Sequence, residues 1–219
     1  MGTVARAALA NATGSITYVG GFARKRVPDE NVTDDFEELL SRGVDVLLDL
    51  TTRPGSVEIA TFAAARGVRP VIGASGWTDA ERNALAGRLS ERGIGGLLIP
   101  NFSLGAVLMM RLAEEAAKYF QSSEIVEFHH AGKKDAPSGT AAMTADRIAA
   151  VAGKRPPIHS VRLPGLVAHQ EIIFGGTGEL LTVRHDSFSR ESFVPGMFAS
   201  IRAVTHVRGL MVGLDSVLE

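Results

Sequence analysis

The run Glu127-Phe128-His129-His130-Ala131-Gly132-Lys133-Lys134-Asp135-Ala136-Pro137-Ser138-Gly139-Thr140 puts two imidazoles, two ammonium groups and a Ser-Gly-Thr helix entrance into one short loop. Hydroxyls and backbone N–H groups at a helix N-terminus, where the dipole favours negative charge, suit a carboxylate. Ser138, Gly139 and Thr140 occupy those positions, and a dicarboxylate held there would meet Lys133 or Lys134 at its other end. Neighbours on a strand point to opposite faces. His129 and His130 would therefore divide between chemistry and binding, unless the strand has already ended. The same residues also fit a plainer arrangement, a capped helix preceded by a solvated basic turn. A metal centre is disfavoured, because adjacent histidines without a third ligand at workable spacing do not close a coordination shell and the lysines repel a cation. His159, His169, His185 and His206 are scattered and receive no role.

These side chains need elements to hold them. From Thr3 to about Arg92 helical stretches alternate with short apolar strands, the pattern of βαβ units and a mostly parallel sheet. Val44 to Leu50 is a near-continuous apolar run of strand length, as expected when helices cover both faces. Pro70-Val71-Ile72 and Gly96-Leu97-Leu98-Ile99 are two more such runs, and Ser15 to Phe22 is read as a further strand. Thr78-Asp79-Ala80-Glu81 is a capping box, with Gly93 as the matching stop. Ser103 to Gln121 reads as a long helix. At Glu124 the period changes to that of a strand through His130, which sets a domain boundary near Phe102. A second helix spans about Ser138 to Val151. Val161 to Ser187 reads as strands around a Gly175-Gly176-Thr177-Gly178 turn, and Pro195 opens a final helix through Val204.

Composition narrows the class of function. With 219 residues, 45% hydrophobic and 21% charged, the chain is an ordinary globular protein of one or two domains. A formal charge of -1 gives no electrostatic argument for a nucleic acid or membrane partner. No apolar run reaches the roughly 18 residues of a membrane span, and no basic region precedes an apolar signal core, so the expected location is cytoplasmic. The absence of cysteine removes disulfides, thiolate metal sites and thioester-forming dehydrogenases.

The run His-His-x-x-Lys-x-Asp-Ala-Pro-Ser-Gly-Thr resembles the signature of the 4-hydroxy-tetrahydrodipicolinate reductases. The resemblance continues in Ile72 to Trp77, in Ile99 to Gly105, and in Gly165 to Glu171 with Phe174-Gly175, so it covers essentially the whole chain. It implies an α/β protein: a Rossmann-like, mostly parallel sheet formed by residues 1–102 and 195–219, and a second α+β domain with a mixed sheet, residues 103–194, for substrate binding and oligomerisation. It implies hydride transfer from NAD(P)H to a cyclic dicarboxylate with loss of water, in lysine and diaminopimelate biosynthesis, by a homotetramer. By residue, it implies that His129 is the general acid/base and Lys133 the proton donor, and that His130, Ser138, Gly139 and Thr140 hold the substrate's carboxylates. Cofactor binding would fall to Gly73, Ala74 and Ser75 and to Ile99, Pro100, Asn101 and Phe102, in the loops at the carboxyl ends of two strands where open α/β sheets bind ligands. Taken alone, Gly73-Ala74-Ser75-Gly76 would read as a turn.

The chain departs from this pattern twice. A dinucleotide-binding domain begins with a buried strand and a Gly-rich turn, whereas this chain opens Met1-Gly2-Thr3-Val4-Ala5, which looks like the end of that turn followed by the first helix. The expectation is that the natural protein starts upstream of Met1, and cofactor binding depends on that. After the strand ending at Phe22, where an acidic residue usually bonds the adenosine ribose, stand Ala23-Arg24-Lys25-Arg26. They form either a solvated basic turn or, with Arg24 binding the cofactor, a site for the 2′-phosphate of NADPH. The competing functions are a catalytically impaired paralogue that binds the dicarboxylate or a partner subunit without turnover, favoured by the missing turn, and another Rossmann-type oxidoreductase acting on a sugar or amino acid.

Overall fold

Short apolar runs alternating with capped helices give the first unit its layers. The computed structural model describes residues 1–218. By contact the chain divides into one unit of Met1–Phe102 together with the segment from Phe193 onward, and a second of Ser103–Ser192.

In the first unit, α1 (Gly2–Ala10), β1 (Gly21–Phe22), β2 (Val32–Thr33) and α2 (Phe36–Leu40) precede β3 (Val46–Asp49), α3 (Arg53–Ala65), β4 (Arg69–Ile72), α4 (Asp79–Arg92) and β5 (Gly95–Leu98). The main sheet is wholly parallel and ordered β10, β5, β4, β3, where β10 is Gly209–Val212. Thr78 caps α4 as the spacing predicts: its hydroxyl accepts from Glu81 N–H at 3.3 Å, and the Glu81 carboxylate accepts from Thr78 N–H at 2.7 Å. Gly93 ends the helix at φ 64°, in the left-handed region that glycine adopts without steric cost. Leu85 and Leu89 thereby enter a core with Ala60, Ala64, Ile72, Ala74, Trp77, Ile94 and Leu98, each large side chain contributing about 1.5 to 3 kcal/mol of burial. All of β5 is buried. At Gly95 a Cβ would lie within 3 Å of the Val207 backbone, so only glycine admits that segment ahead of β10.

Two expectations fail here. The strand expected over Ser15 to Phe22 is only Gly21–Phe22, and it pairs with β2 instead of joining the main sheet. Ser15 to Ala23 and Val44 to Thr51 both line a cavity of about 870 Å³ and form no ladder with each other. Paired strands must approach to about 4.8 Å, and among the described residues the only ladder of this segment is the one between β1 and β2. The edge of β3 away from β4 accordingly has no strand partner among the described residues, and Val46, Leu47 and Leu48 are only partly buried where a two-sided cover was expected. The second concerns the extent of the sheet: β10 adds a strand that the residue pattern does not announce. Four residues, half of them exposed, carry too short a pattern to separate strand from coil. The final helix, α7 (Val194–Ala203), holds Pro195 in its first turn.

In the second unit α5 (Leu104–Ala116) is capped by Ser103, whose hydroxyl accepts from Ala106 N–H at 3.2 Å. It stops short of the expected Gln121 because Lys118 to Phe120 close into turns on Glu115 and Ala116. The mixed sheet runs β7 (Ile158–Arg162), β6 (Ser122–His129), β8 (Ala168–Gly176), β9 (Glu179–Ser187), with β6 and β7 parallel and the other pairs antiparallel. Helices α5 and α6 (Gly139–Ala152) pack on each other and on this sheet.

Candidate active site

Strand β6 alternates, so Ile125, Glu127 and His129 share one face, and the two ends of this row set the site. Ile125 is buried in the core, while His129 is the last strand residue, with 15% of its side chain exposed. His130 lies beyond the strand end and is exposed, so the alternation of faces that holds within the strand does not extend to it. The loop then closes with Lys133 N–H donating to His130 O at 3.0 Å and reaches the N-terminus of α6.

Ser138 caps that helix, its hydroxyl accepting from Ala141 N–H at 3.1 Å, and its own N–H donates to Glu127 Oε1 at 3.2 Å. What Ser138 retains for a ligand is its hydroxyl proton. Gly139 is exposed, with open space where a Cβ would project. Lys133 Nζ pairs with Asp135 Oδ2 at 2.8 Å and holds that carboxyl below its ordinary pKa. Lys134 is exposed.

The sequence did not reveal what stands behind these residues. Glu127 has no exposed side-chain surface. Its Oε1 accepts from Ser160 Oγ at 2.6 Å and Arg162 Nη2 at 2.6 Å, and its Oε2 from Arg162 Nη1 at 2.8 Å, with His129 Nδ1 2.5 Å away. Burial pushes the Glu127 pKa up, but the bonds from Arg162, Ser160, His129 and the Ser138 N–H outweigh it and hold the carboxyl at about 2. His129 is pushed below 6.5, first by burial and then by the positive Lys133 and Arg162, against the opposing pull of Glu127. The available signal for Glu127 was its alternation with Ile125, which puts a carboxylate on the face of β6 that carries the buried side chains. Arg162 had none, because only the β6–β7 register sets it opposite His129.

The residues expected at a cofactor lie in the first unit. Paired β4 and β5 end side by side, leaving Ser75 and Pro100 exposed just beyond them, while Ala74, Ile99 and Phe102 are buried. Gly73 donates to Asp49 O at 2.8 Å, and a Cβ there would meet Leu50 and Phe102 at 2.9 Å, so this glycine serves close packing. Asn101 is partly buried, and Arg24 is exposed. Arg26, by contrast, is committed to Asp34 at 3.1 Å and Glu38 at 2.5 Å. Three observations fit a dinucleotide. Met1 puts no side-chain cap on α1, the space beside Gly2 is open, and Asp49 Oδ2 at the end of β3 is buried without a partner. Among the described residues no cluster of His, Asp and Glu could hold a metal ion, and no helix is long and apolar enough to cross a membrane.

The family model for the dihydrodipicolinate reductase N-terminus matches residues 3–102, and the model for the dihydrodipicolinate reductase C-terminus matches residues 105–218. The chain belongs to the dihydrodipicolinate reductase family. It is 44% identical over 213 residues to the 4-hydroxy-tetrahydrodipicolinate reductase of Halalkalibacterium halodurans, covering 87% of this chain and 81% of that protein. It is 47% identical over 204 residues to the enzyme of the same name from Lactococcus lactis subsp. lactis, covering 84% and 78%. A dipicolinate-bound dihydrodipicolinate reductase from Paenisporosarcina superposes with a TM-score of 0.88 at 37% identity, over 99% of this chain and 95% of that one. An amine dehydrogenase from Mycobacterium smegmatis, at TM-score 0.61 and 14% identity, shares the fold alone. The Rossmann-like parallel sheet and the mixed sheet of the second unit are thus those of the family.

Proposed function

We propose that this chain is a reductase that converts 4-hydroxy-tetrahydrodipicolinate to tetrahydrodipicolinate, with NAD(P)H as reductant and water as the second product. The observation that carries the reading is the cationic loop between His129 and the start of α6, anchored by the ion pair of buried Glu127 with Arg162. A bound dihydronicotinamide supplies the hydride. The protein's own residues do the rest. The Ser138 hydroxyl, Gly139 and Thr140 take one carboxylate at the helix N-terminus, and His130 takes the other. Lys133 leaves Asp135 for the substrate at little cost, since an ion pair with so exposed a carboxylate is worth about 0 to 1 kcal/mol. It then gives a proton to the departing hydroxyl, which leaves as water, while His129 takes a ring proton at its site-facing nitrogen and returns it as the ring is reduced. General acid help of this kind contributes a factor of about 10² to 10⁴.

NADPH is the favoured reductant, because Arg24 and Lys25 are exposed and cationic where an acidic residue would select NADH. A homotetramer assembled through the second unit fits the exposure of Leu180 at 75% and Leu163 at 54%. A nicotinamide-dependent reduction belongs in the cytoplasm, where the reduced cofactor is made. The test is loss of dihydronicotinamide absorbance with substrate generated in situ, which the purified chain should catalyse. Dipicolinate binding with no measurable turnover would decide instead for a chain that binds the dicarboxylate without reducing it.

A further inference from the structure

A carboxylate kept ionised has no proton to give, so the 2.5 Å contact between Glu127 Oε2 and His129 Nδ1 has one polarity, with the imidazole donating. In a neutral imidazole the other nitrogen is then bare. We propose that Glu127 is the positioning residue of this site, fixing His129 in the Nδ1–H tautomer so that Nε2 faces the substrate bare: it takes the ring proton lost as the hydroxyl departs, with a proton from Lys133, as water, and returns that proton to the ring on reduction. This rests on the reading of the chain as a reductase of the dicarboxylate.

Arg162 makes the arrangement work. A lone buried carboxylate would raise the proton affinity of the imidazole beside it and turn His129 into a cationic acid. Here both oxygens of Glu127 already accept from Arg162, at 2.8 and 2.6 Å, so the pair is neutral as a whole and orients the ring without charging it. The charged groups acting on His129 are Glu127 on its own strand, Arg162 on β7 and Lys133 in the loop; on the β8 side its partner is the uncharged Ala168. Two cations and partial burial oppose one anion, and His129 accordingly stays neutral at pH 7, its pKa lying below 6.5. When Nε2 takes a proton, the imidazolium keeps its Nδ1–H on Glu127, so no reorientation accompanies the transfer. This is the logic by which a buried acid holds a catalytic histidine in one tautomer.

Nitrogen NMR of the labelled chain at pH 7.5, with the His129 ring assigned by His129→Gln, reads the tautomer without turnover. The expected spectrum has Nδ1 at the protonated position and Nε2 at the bare one. In Glu127→Gln both resonances should move toward the average of the two tautomers, and kcat should fall about tenfold or more while KM changes by less than about threefold. An Nε2–H tautomer in the unaltered chain, or His129 shifts that Glu127→Gln leaves untouched, would overturn the proposal. If Glu127→Gln fails to fold, the tautomer of the unaltered chain decides alone. Absence of turnover in the unaltered chain would count against the reductase reading and leave the NMR result to judge Glu127.

Discussion

Arg162 donates from Nη2 to the backbone carbonyl of Asp135 at 2.8 Å, so the guanidinium that neutralises Glu127 also pins the substrate loop. Replacing it with alanine strands a fully buried carboxylate without its cation, a change that typically costs about 3 to 5 kcal/mol. Urea unfolding of Arg162→Ala should show a loss of that size. Arg162→Lys keeps the charge but lacks the fork that reaches both oxygens and the carbonyl. It should unfold at intermediate urea concentration and show a several-fold higher KM. Unfolding midpoints equal to that of the unaltered chain would mean the pair contributes nothing.

The same carboxyl sets an acid limit to stability. Its folded pKa of about 2 lies below its unfolded value of 4.5, so its stabilisation is complete above about pH 4.5 and drains away as pH falls toward 2. His129 acts in the same direction at higher pH. Its folded pKa lies below 6.5, so its contribution is present above 6.5 and declines as acid protonates the unfolded chain preferentially. A plot of Tm against pH should therefore slope downward below about 6.5 and more steeply below 4.5. In Glu127→Gln the lower segment should flatten. An identical lower segment in that variant would assign the acid sensitivity to other carboxyls.

Chemistry and binding should separate within the loop. Lys133→Ala removes the proton donor and should lower kcat by about 10² or more. Thr140→Val removes one hydroxyl at the helix entrance and should act mainly on KM. Equal losses confined to KM in both variants would indicate uniform binding and no special role for Lys133.

Gly105 lies in the first turn of α5, where a Cβ would meet the His185 ring, with Nε2 at 2.7 Å. That ring stands 3.3 Å from the Ser103 hydroxyl that caps the helix. Gly105→Ala gains up to about 1 kcal/mol of helix propensity and loses about 1 to 3 kcal/mol to overpacking. The expected net result is a lower Tm, and His185→Ala in the same chain should relieve it. Two losses that simply add would refute the contact.

Arg24→Ala should reduce the ratio of kcat/KM with NADPH to that with NADH, while Arg26→Ala should change it less, because Arg26 is spent on Glu38 and Asp34. The two ratios are measured side by side, and a preference for NADH in the unaltered chain would remove the basis of this prediction.

Local rules wrote several elements plainly into the sequence. Thr78 with Glu81, Ser103, Ser138 and Gly93 are signals whose partners lie within a few residues, so their caps follow from composition and spacing alone. The buried β4 and β5 were legible because both of their faces are apolar. The segment from Ser15 to Phe22 has the right residues for a strand and yet forms only two strand residues, because strand formation needs a neighbour at hydrogen-bonding distance. Pattern alone does not supply one.

At the site the division has the same cause. The order of His129, His130, Lys133 and the Ser138–Thr140 entrance determined that a cationic loop runs from a strand end into a helix N-terminus, since each of those facts is local. Tertiary structure decided that the Ser138 N–H is already spent on Glu127, and that Glu127 and Arg162 stand together behind His129. Arg162 is distant in the chain and reaches Glu127 only through the β6–β7 register, a long-range pairing that depends on the whole sheet. The tautomer of His129, and with it the direction in which this imidazole can move a proton, is fixed by that register.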